Sequence, residues 1–503
     1  MQSSDIDGAF ILEYTNDLHL ESPTETHPLT IRVAGPFALH EIFVNNNFKS
    51  TVVNYCLHWE PKKLAEALNK WASNHNITRP LICVSSLSAR DFINPEFHLQ
   101  QVFKYLDKSI KFKYIVGGPF MEYNDVDAGV MPEYSFHGRS LHIFEQWLKG
   151  QIDLDDYVQP GTTKIKPKTN EIIEKPNVPV LYDDYCLMPS DVLTFEVRLG
   201  CKFNCTFCSF HFRNTKNASD TDEEELTNFF QQAYDKYGIE HFSMADDTCN
   251  EDKTKLNILL NATKKLSYKP SIAGFIRFDL LLRNDQAPIL DEIGFHGLWF
   301  GLESFHEGAN KLIRKKMKRQ EIFDFCRELQ EKYPHWWFNA SLIIGIPGEP
   351  LEHFLESIKL NAKHRYITNL FPYYLNISND EGQMNDHVSD ITRDPLKYGI
   401  RFRGKGYGDS SYGSKISEWY HEHASYTTAV EMMHKVNKYN RRKGIYNVSC
   451  WSNLVSKAIG MDTDKFKYAS PSEIDDVVKE DFELQHKHIH KYIVKKTKYL
   501  QND

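Results

Sequence analysis

Three of the nine cysteines lie close together, Cys201, Cys205 and Cys208, in the segment RLGCKFNCTFCSF. Thiolates are soft ligands that suit iron, copper and zinc, so three thiols spaced CxxxCxxC indicate a metal centre. A cluster of four iron and four sulfide ions held by only three thiolates leaves one iron without a protein ligand. The spacing is therefore compatible with a metal centre that keeps one open coordination position.

Structural zinc is the alternative to a cluster. Zinc of this kind usually has four ligands in two pairs, and the sequence has no second CxxC pair. His211, three residues after Cys208, is the nearby candidate for a fourth ligand, which would make a Cys3His zinc knuckle in a non-catalytic binding protein. The spacing alone leaves both metals open.

The other six cysteines are scattered along the chain. A free cysteine packs like a small apolar side chain, so we predict that these six are buried. An odd number of cysteines and an N-terminus, MQSSDIDGAF, without the features of a signal peptide argue against a disulfide framework. No apolar run is long enough to cross a bilayer, so we expect a cytoplasmic protein without membrane contact.

Length and composition set the scale of the fold. The chain has 503 residues, which at about 150 residues per domain suggests roughly three domains. Hydrophobic residues make up 41% and charged residues 25%, as in a folded globular protein. A net charge of -8 argues against a protein whose affinity comes from neutralising phosphates, so a small molecule or peptide is favoured over nucleic acid as the substrate.

Apolar, strand-like segments alternate with amphipathic helices around and after the cysteines. The first strand, 193–199, precedes the cysteines, and the next five contain HFSMADD, SIAGFIRF, GLWFGLES, WWFNASLII and ITNLFPYYLN. Strands that alternate with helices predict a parallel sheet, with the active residues on loops at the carboxyl ends of the strands.

The CxxxCxxC motif with Phe207 before its third cysteine resembles the signature of the radical S-adenosylmethionine (SAM) enzymes. The resemblance covers about 180 to 375 and is strongest to the branch with a cobalamin-binding-type domain before the barrel. It implies a partial (β/α)6 barrel and a 4Fe-4S cluster on Cys201, Cys205 and Cys208.

The same resemblance implies an activity. The cluster would cleave SAM reductively, and the resulting 5'-deoxyadenosyl radical would modify a substrate that is not identified. Methyl transfer, methylthio transfer, and cyclisation or rearrangement are all compatible with this core. An electron donor such as a flavodoxin or a ferredoxin would reduce the cluster.

Two strand ends after the cysteines resemble SAM-binding positions through charged residues. In MADDT, Asp246 or Asp247 would accept hydrogen bonds from the ammonium group of SAM. In GFIRFD, Arg277 would pair with the SAM carboxylate or lie near the substrate. The alternatives are a helix cap for the aspartates and an ion pair inside the barrel for Arg277.

Two further strand ends complete the resemblance. In GLES, Glu303 and Ser304 would face SAM, and the alternative for Glu303 is a barrel ion pair. In IIGIPGE, Gly345 and Gly348 would let the backbone approach the adenine side of SAM. These positions are expected to bind the cofactor.

The segment 1–150 alternates strand-like runs such as TIRVAGPF, TVVNYCLHW, RPLICVSSLSA and FKYIVGGPF with helices, which predicts a doubly wound (Rossmann-like) α/β domain. Its order resembles a cobalamin-binding domain. The DxHxxG motif of proteins that bind cobalamin through histidine is missing, so we expect a degenerate domain in which bound cobalamin is possible but not favoured and Gly117 and Gly118 form a tight turn.

The remaining boundaries follow from composition. The proline-containing segment 151–190 is predicted to link the first domain to a barrel at 191–376. The segment 377–503 is predicted to be mostly helical or irregular and to close the substrate site. Within it Trp419, Tyr420 and His421 are candidates for either the substrate pocket or ordinary packing, and the lysine- and histidine-rich tail is expected to be a solvated helix face.

Overall fold

The computed structural model describes residues 1–14, 26–86, 93–118, 132–137, 140–159, 162–165, 175–208, 220–377, 389–403 and 418–502. The strands are β1 Gly8–Tyr14, β2 Ile31–Arg32, β3 Lys49–Val53, β4 Pro80–Ser86, β5 Lys113–Gly118, β6 Tyr134–His137, β7 Lys164–Ile165, β8 Val192–Phe195, β9 His241–Met244, β10 Ser271–Ile276, β11 Phe295–Glu303, β12 Trp337–Ile344, β13 Leu370–Tyr374, β14 Arg401–Phe402 and β15 Trp419–Tyr420.

The helices are α1 Ala34–Asn45, α2 Pro61–His75, α3 Ile93–Tyr105, α4 Leu141–Leu148, α5 Glu223–Tyr237, α6 Lys253–Lys264, α7 Phe278–Asn284, α8 Ala287–Ile293, α9 Glu307–Leu312, α10 Arg319–Lys332, α11 Leu351–His364, α12 Asp390–Arg393, α13 Tyr426–Arg442, α14 Cys450–Ala458, α15 Asp464–Tyr468 and α16 Ile474–Asn502. Among the described helices, none is both long and apolar enough to cross a membrane.

The first sheet is parallel, with strand order β3-β1-β4-β5-β6-β7. Side chains of β1 alternate between two cores: Ala9 and Ile11 share one core with residues of α1 and α4, and Phe10 and Leu12 share the other with residues of α2 and α3. A sheet with helices on both faces confirms the doubly wound N-terminal domain. Gly117 and Gly118 are the last residues of β5 rather than a tight turn.

The sequence-predicted strand TIRVAGPF is wrong in extent and in placement. Only Ile31 and Arg32 form a strand, and α1 begins at Ala34. Pro36 does not prevent this helix, because the first turn of a helix does not need the proline N–H. The short β2 pairs with β8, so it belongs to the second sheet.

The second sheet is also parallel, with strand order β13-β12-β11-β10-β9-β8-β2. From β8 to β13 the order in the sheet is the order in the chain, with one or more helices between consecutive strands. This arrangement confirms the six predicted βα strands. It also brings the carboxyl ends of β8 to β13 to one edge, where loops can share a site.

Helix α14 covers the face of this sheet opposite the crossover helices. Leu298 and Phe300 of β11 belong to the large core that includes residues of α10. Ala273 of β10 and Trp337 of β12 instead belong to a second core with Cys450 of α14. Helix α14 therefore lies on the inner face of the sheet, which is the side that the barrel encloses.

The tail is not simply a solvated helix face, because α16 packs against the N-terminal domain. Tyr492 and Leu500 are buried in the core that includes α2. The buried ammonium group of Lys496 lies 2.6 Å from Oδ1 of Asp184. The basic composition predicted a solvated helix face. The helix is partly buried instead, because its charged side chains pair with buried carboxylates and its apolar side chains form a stripe along one face.

Candidate functional site

The three clustered cysteines lie on the loop that follows β8, which ends at Phe195. Cys205 is buried, and Cys201 and Cys208 are half-buried, whereas the other six cysteines are all buried as predicted. The N–H of Cys208 donates to the carbonyl of Cys205 at 3.1 Å, which folds the CxxC part into a turn. Burial raises the pKa of the Cys201 thiol, whose Sγ lies 3.3 Å from the hydroxyl of Thr248.

The arrangement of these thiols can be compared with the two metal centres that the spacing allows. Within the described residues, no three histidine, cysteine or acidic side chains come together as a site for a single metal ion. His211, the proposed fourth zinc ligand, lies outside the described residues.

Arg277 reaches the cysteine loop from the end of β10. Its Nη1 lies 3.2 Å from Sγ of Cys205, and its guanidinium carbon lies 3.9 Å from the ring centre of Phe203. Asp279 holds the other side of the guanidinium through bonds of 2.8 and 3.2 Å. This side chain therefore brings a positive charge to Cys205 and is itself fixed by a carboxylate.

The two aspartates after β9 have different surroundings. Asp246 is 2% exposed; its carboxylate accepts the backbone N–H groups of Val197 and Arg198, both at 2.8 Å, and lies 2.5 Å from the ammonium group of Lys255. Burial alone would lower the pKa of Lys255, but the Asp246 carboxylate raises it. Asp246 thus joins the ends of β8 and β9 to α6, whereas Asp247 is half-buried.

Glu303 ends β11 in a left-handed backbone conformation, with φ of +67°. Its Oε1 lies 3.0 Å from the ammonium group of Lys315, and its Oε2 accepts a hydrogen bond from Ser341 at 3.2 Å. The barrel ion pair considered as the alternative for Glu303 is therefore present. A non-glycine residue at positive φ is strained, and such strain is common at functional sites.

Ser304 is fully buried and donates to the Glu349 carboxylate at 2.7 Å. The other oxygen of Glu349 lies 3.4 Å from Nδ1 of His353 on α11. Sequence analysis singled out the glycines of IIGIPGE but missed Glu349, the last residue of that segment. A glutamate after a glycine-rich turn at a strand end was the available signal.

Gly345 and Gly348 both have positive φ, of +92° and +88°. A Cβ at Gly345 would lie 2.3 Å from the ring of Trp419, whereas a Cβ at Gly348 would have no neighbour within 4 Å. Gly345 is thus needed for the close approach of Trp419 from the C-terminal region. Gly348 keeps open space beside its backbone.

The C-terminal aromatic candidates lie beside this turn. Trp419 is fully buried and donates to the carbonyl of Leu375 at 2.9 Å, which is ordinary packing. His421 stacks on Trp419, and its Nε2 lies 3.0 Å from the carbonyl oxygen of Gly345. Burial lowers the pKa of His421. Phe207 of the cysteine loop is half-buried, with the Lys315 ammonium group 5.8 Å from its ring centre.

These features agree with comparisons to known proteins. Residues 196–360 match the model of the Radical SAM superfamily. The chain is 22% identical over 293 residues to a tRNA-2-methylthio-N(6)-dimethylallyladenosine synthase of Thermoanaerobacter sp. (strain X514), covering 55% of this chain and 59% of that protein. It is 23% identical to the threonylcarbamoyladenosine tRNA methylthiotransferase MtaB of Bacillus subtilis (strain 168), covering 39% of this chain and 45% of that protein.

Solved structures extend the likeness beyond the barrel. The radical S-adenosylmethionine methyltransferase TsrM of Kitasatospora setae superposes with a TM-score of 0.61 at 12% identity, over 94% of this chain and 99% of that one. The cobalamin-dependent S-adenosylmethionine radical enzyme OxsB superposes with a TM-score of 0.53 at 14% identity, over 78% and 56%. Residues 196–360 thus match the Radical SAM superfamily, and the fold of the chain is similar to that of TsrM and OxsB.

Proposed function

We propose that this chain is a radical SAM enzyme that binds a 4Fe-4S cluster through Cys201, Cys205 and Cys208. The observation that carries the proposal is the contact between Arg277 and Cys205 on a three-thiol loop at the carboxyl edge of a parallel sheet. When bound, the cluster supplies the electron that cleaves SAM and yields the 5'-deoxyadenosyl radical. The protein holds the cofactors in position and excludes water.

The surroundings of the predicted SAM residues suggest different roles. Asp246 is a positioning residue, because its buried carboxylate is occupied by two N–H groups and Lys255. Asp247 is the aspartate that binds the SAM ammonium group, and the open space beside Gly348 accommodates the adenine side. Gly345 acts indirectly, by allowing Trp419 to support this turn.

The remaining predicted residues surround the same edge. Arg277 orients the cysteine loop rather than pairing with the SAM carboxylate, because its guanidinium contacts Cys205, Asp279 and Phe203. Glu303 and Ser304 stabilise the SAM side of the site through Lys315 and Glu349. Phe207 covers the cluster loop on its apolar side.

The substrate, the electron donor and the domain limits complete the proposal. An electron donor such as a flavodoxin or a ferredoxin reduces the cluster. A small molecule or peptide is the preferred substrate, and transfer RNA is the alternative substrate to test, because the sequence relatives modify tRNA.

We assign four parts to the chain, 1–150, 151–190, 191–376 and 377–503. Two elements pack outside their own part: β2 pairs with β8, and α16 packs against the N-terminal domain.

Cobalamin is a separate question from the cluster. The missing DxHxxG motif predicts an N-terminal domain that folds without cobalamin. His40 is not a substitute ligand, because it is buried and its Nδ1 lies 2.9 Å from the hydroxyl of Ser50. A titration of the purified protein with hydroxocobalamin, followed by gel filtration, would show no retained corrin absorbance if this prediction is right.

Anaerobic reconstitution with iron and sulfide tests the proposed cluster. We expect a brown protein with four irons per chain and a broad absorbance near roughly 400 nm, typical of such clusters. A colourless protein that instead binds one zinc per chain would contradict the proposal and support the Cys3His zinc knuckle.

A further inference from the structure

Several aromatic side chains line the inner face of the second sheet without being fully covered. Phe275 lies on β10, which is hydrogen-bonded to a strand on each side, yet it is 40% exposed, and Tyr373 on β13 is 44% exposed. Large apolar side chains on interior strands are normally buried. The exposure of Phe275 on an interior strand indicates a recess on this face, between the core formed with α14 and the edge strand β13.

The rings form one continuous surface. The ring centre of Trp299 lies 6.1 Å from that of Phe275, 5.3 Å from that of Trp451 and 4.7 Å from that of Phe371. Phe275 and Trp451 are 4.7 Å apart. Trp451 is the second residue of α14, so this helix closes the recess from below. We call Phe275, Trp299, Phe371 and Trp451 the aromatic floor.

The aromatic floor lies on the same strand as the residue that contacts the cysteine loop. Phe275 pairs with Trp299 in the register of β10 and β11, so the two side chains lie in one row. Arg277 follows Phe275 by two residues in extended backbone and therefore projects from the same side of the strand. Two residues of a strand span roughly 6.6 Å. The backbone of Arg277, whose guanidinium contacts Cys205, thus lies about one strand repeat beyond that of Phe275.

Charged groups lie above the floor on the next strand. Trp299 and Gly301 share one face of β11, and the Glu303 side chain reaches the space over Gly301 although the strand register shifts between Gly301 and Glu303. A Cβ at Gly301 would lie 2.8 Å from Oε1 of Glu303 and 3.1 Å from Nζ of Lys315, so the paired charges occupy the space over that glycine. The recess therefore has an aromatic base and a polar upper wall.

From this placement we infer that the aromatic floor binds a flat aromatic group of the substrate. Aromatic rings favour offset-stacked and edge-to-face contacts with other rings, and the floor presents rings at several inclinations, from 32° to 64° between neighbours. The inference deepens the proposed function, on which it rests, by naming the class of substrate.

Binding of a model compound tests this inference without requiring turnover. The probe is 2-naphthol, and its saturated analogue decahydro-2-naphthol carries the same hydroxyl group on puckered rings. Saturation-transfer NMR titrations on the full chain, with and without reconstituted cluster, give the affinities. We expect 2-naphthol to bind about three- to tenfold more tightly than the analogue, the effect of ring contacts beyond apolar area.

Substitutions locate the binding. Phe275→Leu and Trp299→Leu should each weaken 2-naphthol binding about three- to tenfold. Phe275→Tyr keeps the ring and should bind as the unmodified protein does, which separates loss of the ring from loss of the fold. Tyr105→Leu is the matched control, because Tyr105 is also 40% exposed but lies on α3, away from the floor.

The outcomes distinguish this inference from the proposed function. Equal affinities for the two probes, or equal effects of Phe275→Leu and Tyr105→Leu, would overturn the aromatic site even if SAM is cleaved. Selective binding that depends on Phe275, in a protein that forms no 5'-deoxyadenosine from SAM and dithionite, would support the aromatic site and overturn the proposed function.

Discussion

The guanidinium of Arg277 lies 3.2 Å from Sγ of Cys205, so the end of β10 places a fixed positive charge on the cysteine loop. Hydrogen bonds to the cysteine sulfurs of an iron-sulfur cluster tune the cluster that they hold. Arg277 is held in turn by Asp279, whose carboxylate it contacts through two nitrogens. The strand end and the cysteine loop are thereby one unit.

Substitution of Arg277 tests this relationship. Because hydrogen bonds to charged groups are worth about 1.5–3 kcal/mol, we expect the cluster of Arg277→Ala to be lost to an iron chelator at least about tenfold faster. Arg277→Lys keeps the charge without the planar fork and should lie in between. Absorbance at the cluster band follows the loss. The exposed Arg283 on α7 provides the control, and equal rates for Arg277→Ala and Arg283→Ala would contradict the assignment.

The neighbouring Asp246 and Asp247 should respond differently to the same change. Asp246→Asn breaks a buried ion pair with Lys255, so we expect the free energy of unfolding to fall by about 3–5 kcal/mol in urea titrations. Asp247→Asn should lower stability by less than Asp246→Asn does, because Asp247 is only half-buried. It should instead weaken SAM binding about tenfold in equilibrium dialysis, the loss of one charge-assisted hydrogen bond. The reverse pattern would show that the two roles are assigned the wrong way round.

Alanine substitutions at Gly345 and Gly348 test the role of Trp419, because both glycines have positive φ but only Gly345 lies against the Trp419 ring. Alanine at either positive-φ position costs about 1–2 kcal/mol of backbone energy. Gly345→Ala should cost about 1–3 kcal/mol more, because its Cβ would meet the Trp419 ring. In the background of Trp419→Leu this extra cost should disappear. Urea unfolding of Gly345→Ala, Gly348→Ala, Trp419→Leu and the double variant with Gly345→Ala and Trp419→Leu measures these costs. Equal losses of stability at the two glycines would show that Trp419 does not constrain the turn.

The contact between α14 and α16 should make stability depend on pH. Burial raises the pKa of Asp481 to about 6, although hydrogen bonds from Ser456 and Gln485 oppose the rise. The folded state therefore holds this proton more tightly than the unfolded chain does. The resulting stabilisation is complete below the unfolded pKa of about 4 and is lost as pH rises through about 6.

A comparison of variants isolates this titration from the others. A shift of about two pKa units is worth about 3 kcal/mol. The free energy of unfolding of the unmodified protein should fall by about that much, relative to Asp481→Asn, between pH 4 and pH 7. The exposed Asp476, also on α16, serves as the control substitution. Parallel pH profiles for the unmodified protein and Asp481→Asn would disprove the shift.

Local sequence patterns predicted the barrel well because each of its strands is an apolar run followed by a helix. The cysteine loop could also be predicted, since its spacing lies within eight residues, Cys201 to Cys208. Strand β1 was not predicted, although its residues GAFILEY are mostly apolar, with Glu13 as the one charged residue. It is buried on both faces, and a short run without alternation gives no periodicity to recognise.

Contacts between residues distant in the chain were beyond prediction from sequence. Nothing in the local sequence of Lys496 indicates its pairing with Asp184, which lies 312 residues away. The same holds for Gly345. The sequence predicted that its missing side chain leaves room for the adenine side of SAM, whereas the Trp419 ring fills that space. The roles of such residues depend on which partner the fold brings to them.

The reductive cleavage of SAM tests the central claim most directly. Reconstituted protein is incubated with SAM and dithionite under anaerobic conditions, and 5'-deoxyadenosine is measured by mass spectrometry. The account predicts that the unmodified protein forms 5'-deoxyadenosine and that Cys205→Ala forms none, while Cys326→Ala, at a buried cysteine of α10, retains the activity. Formation of 5'-deoxyadenosine by Cys205→Ala at the rate of the unmodified protein would contradict it.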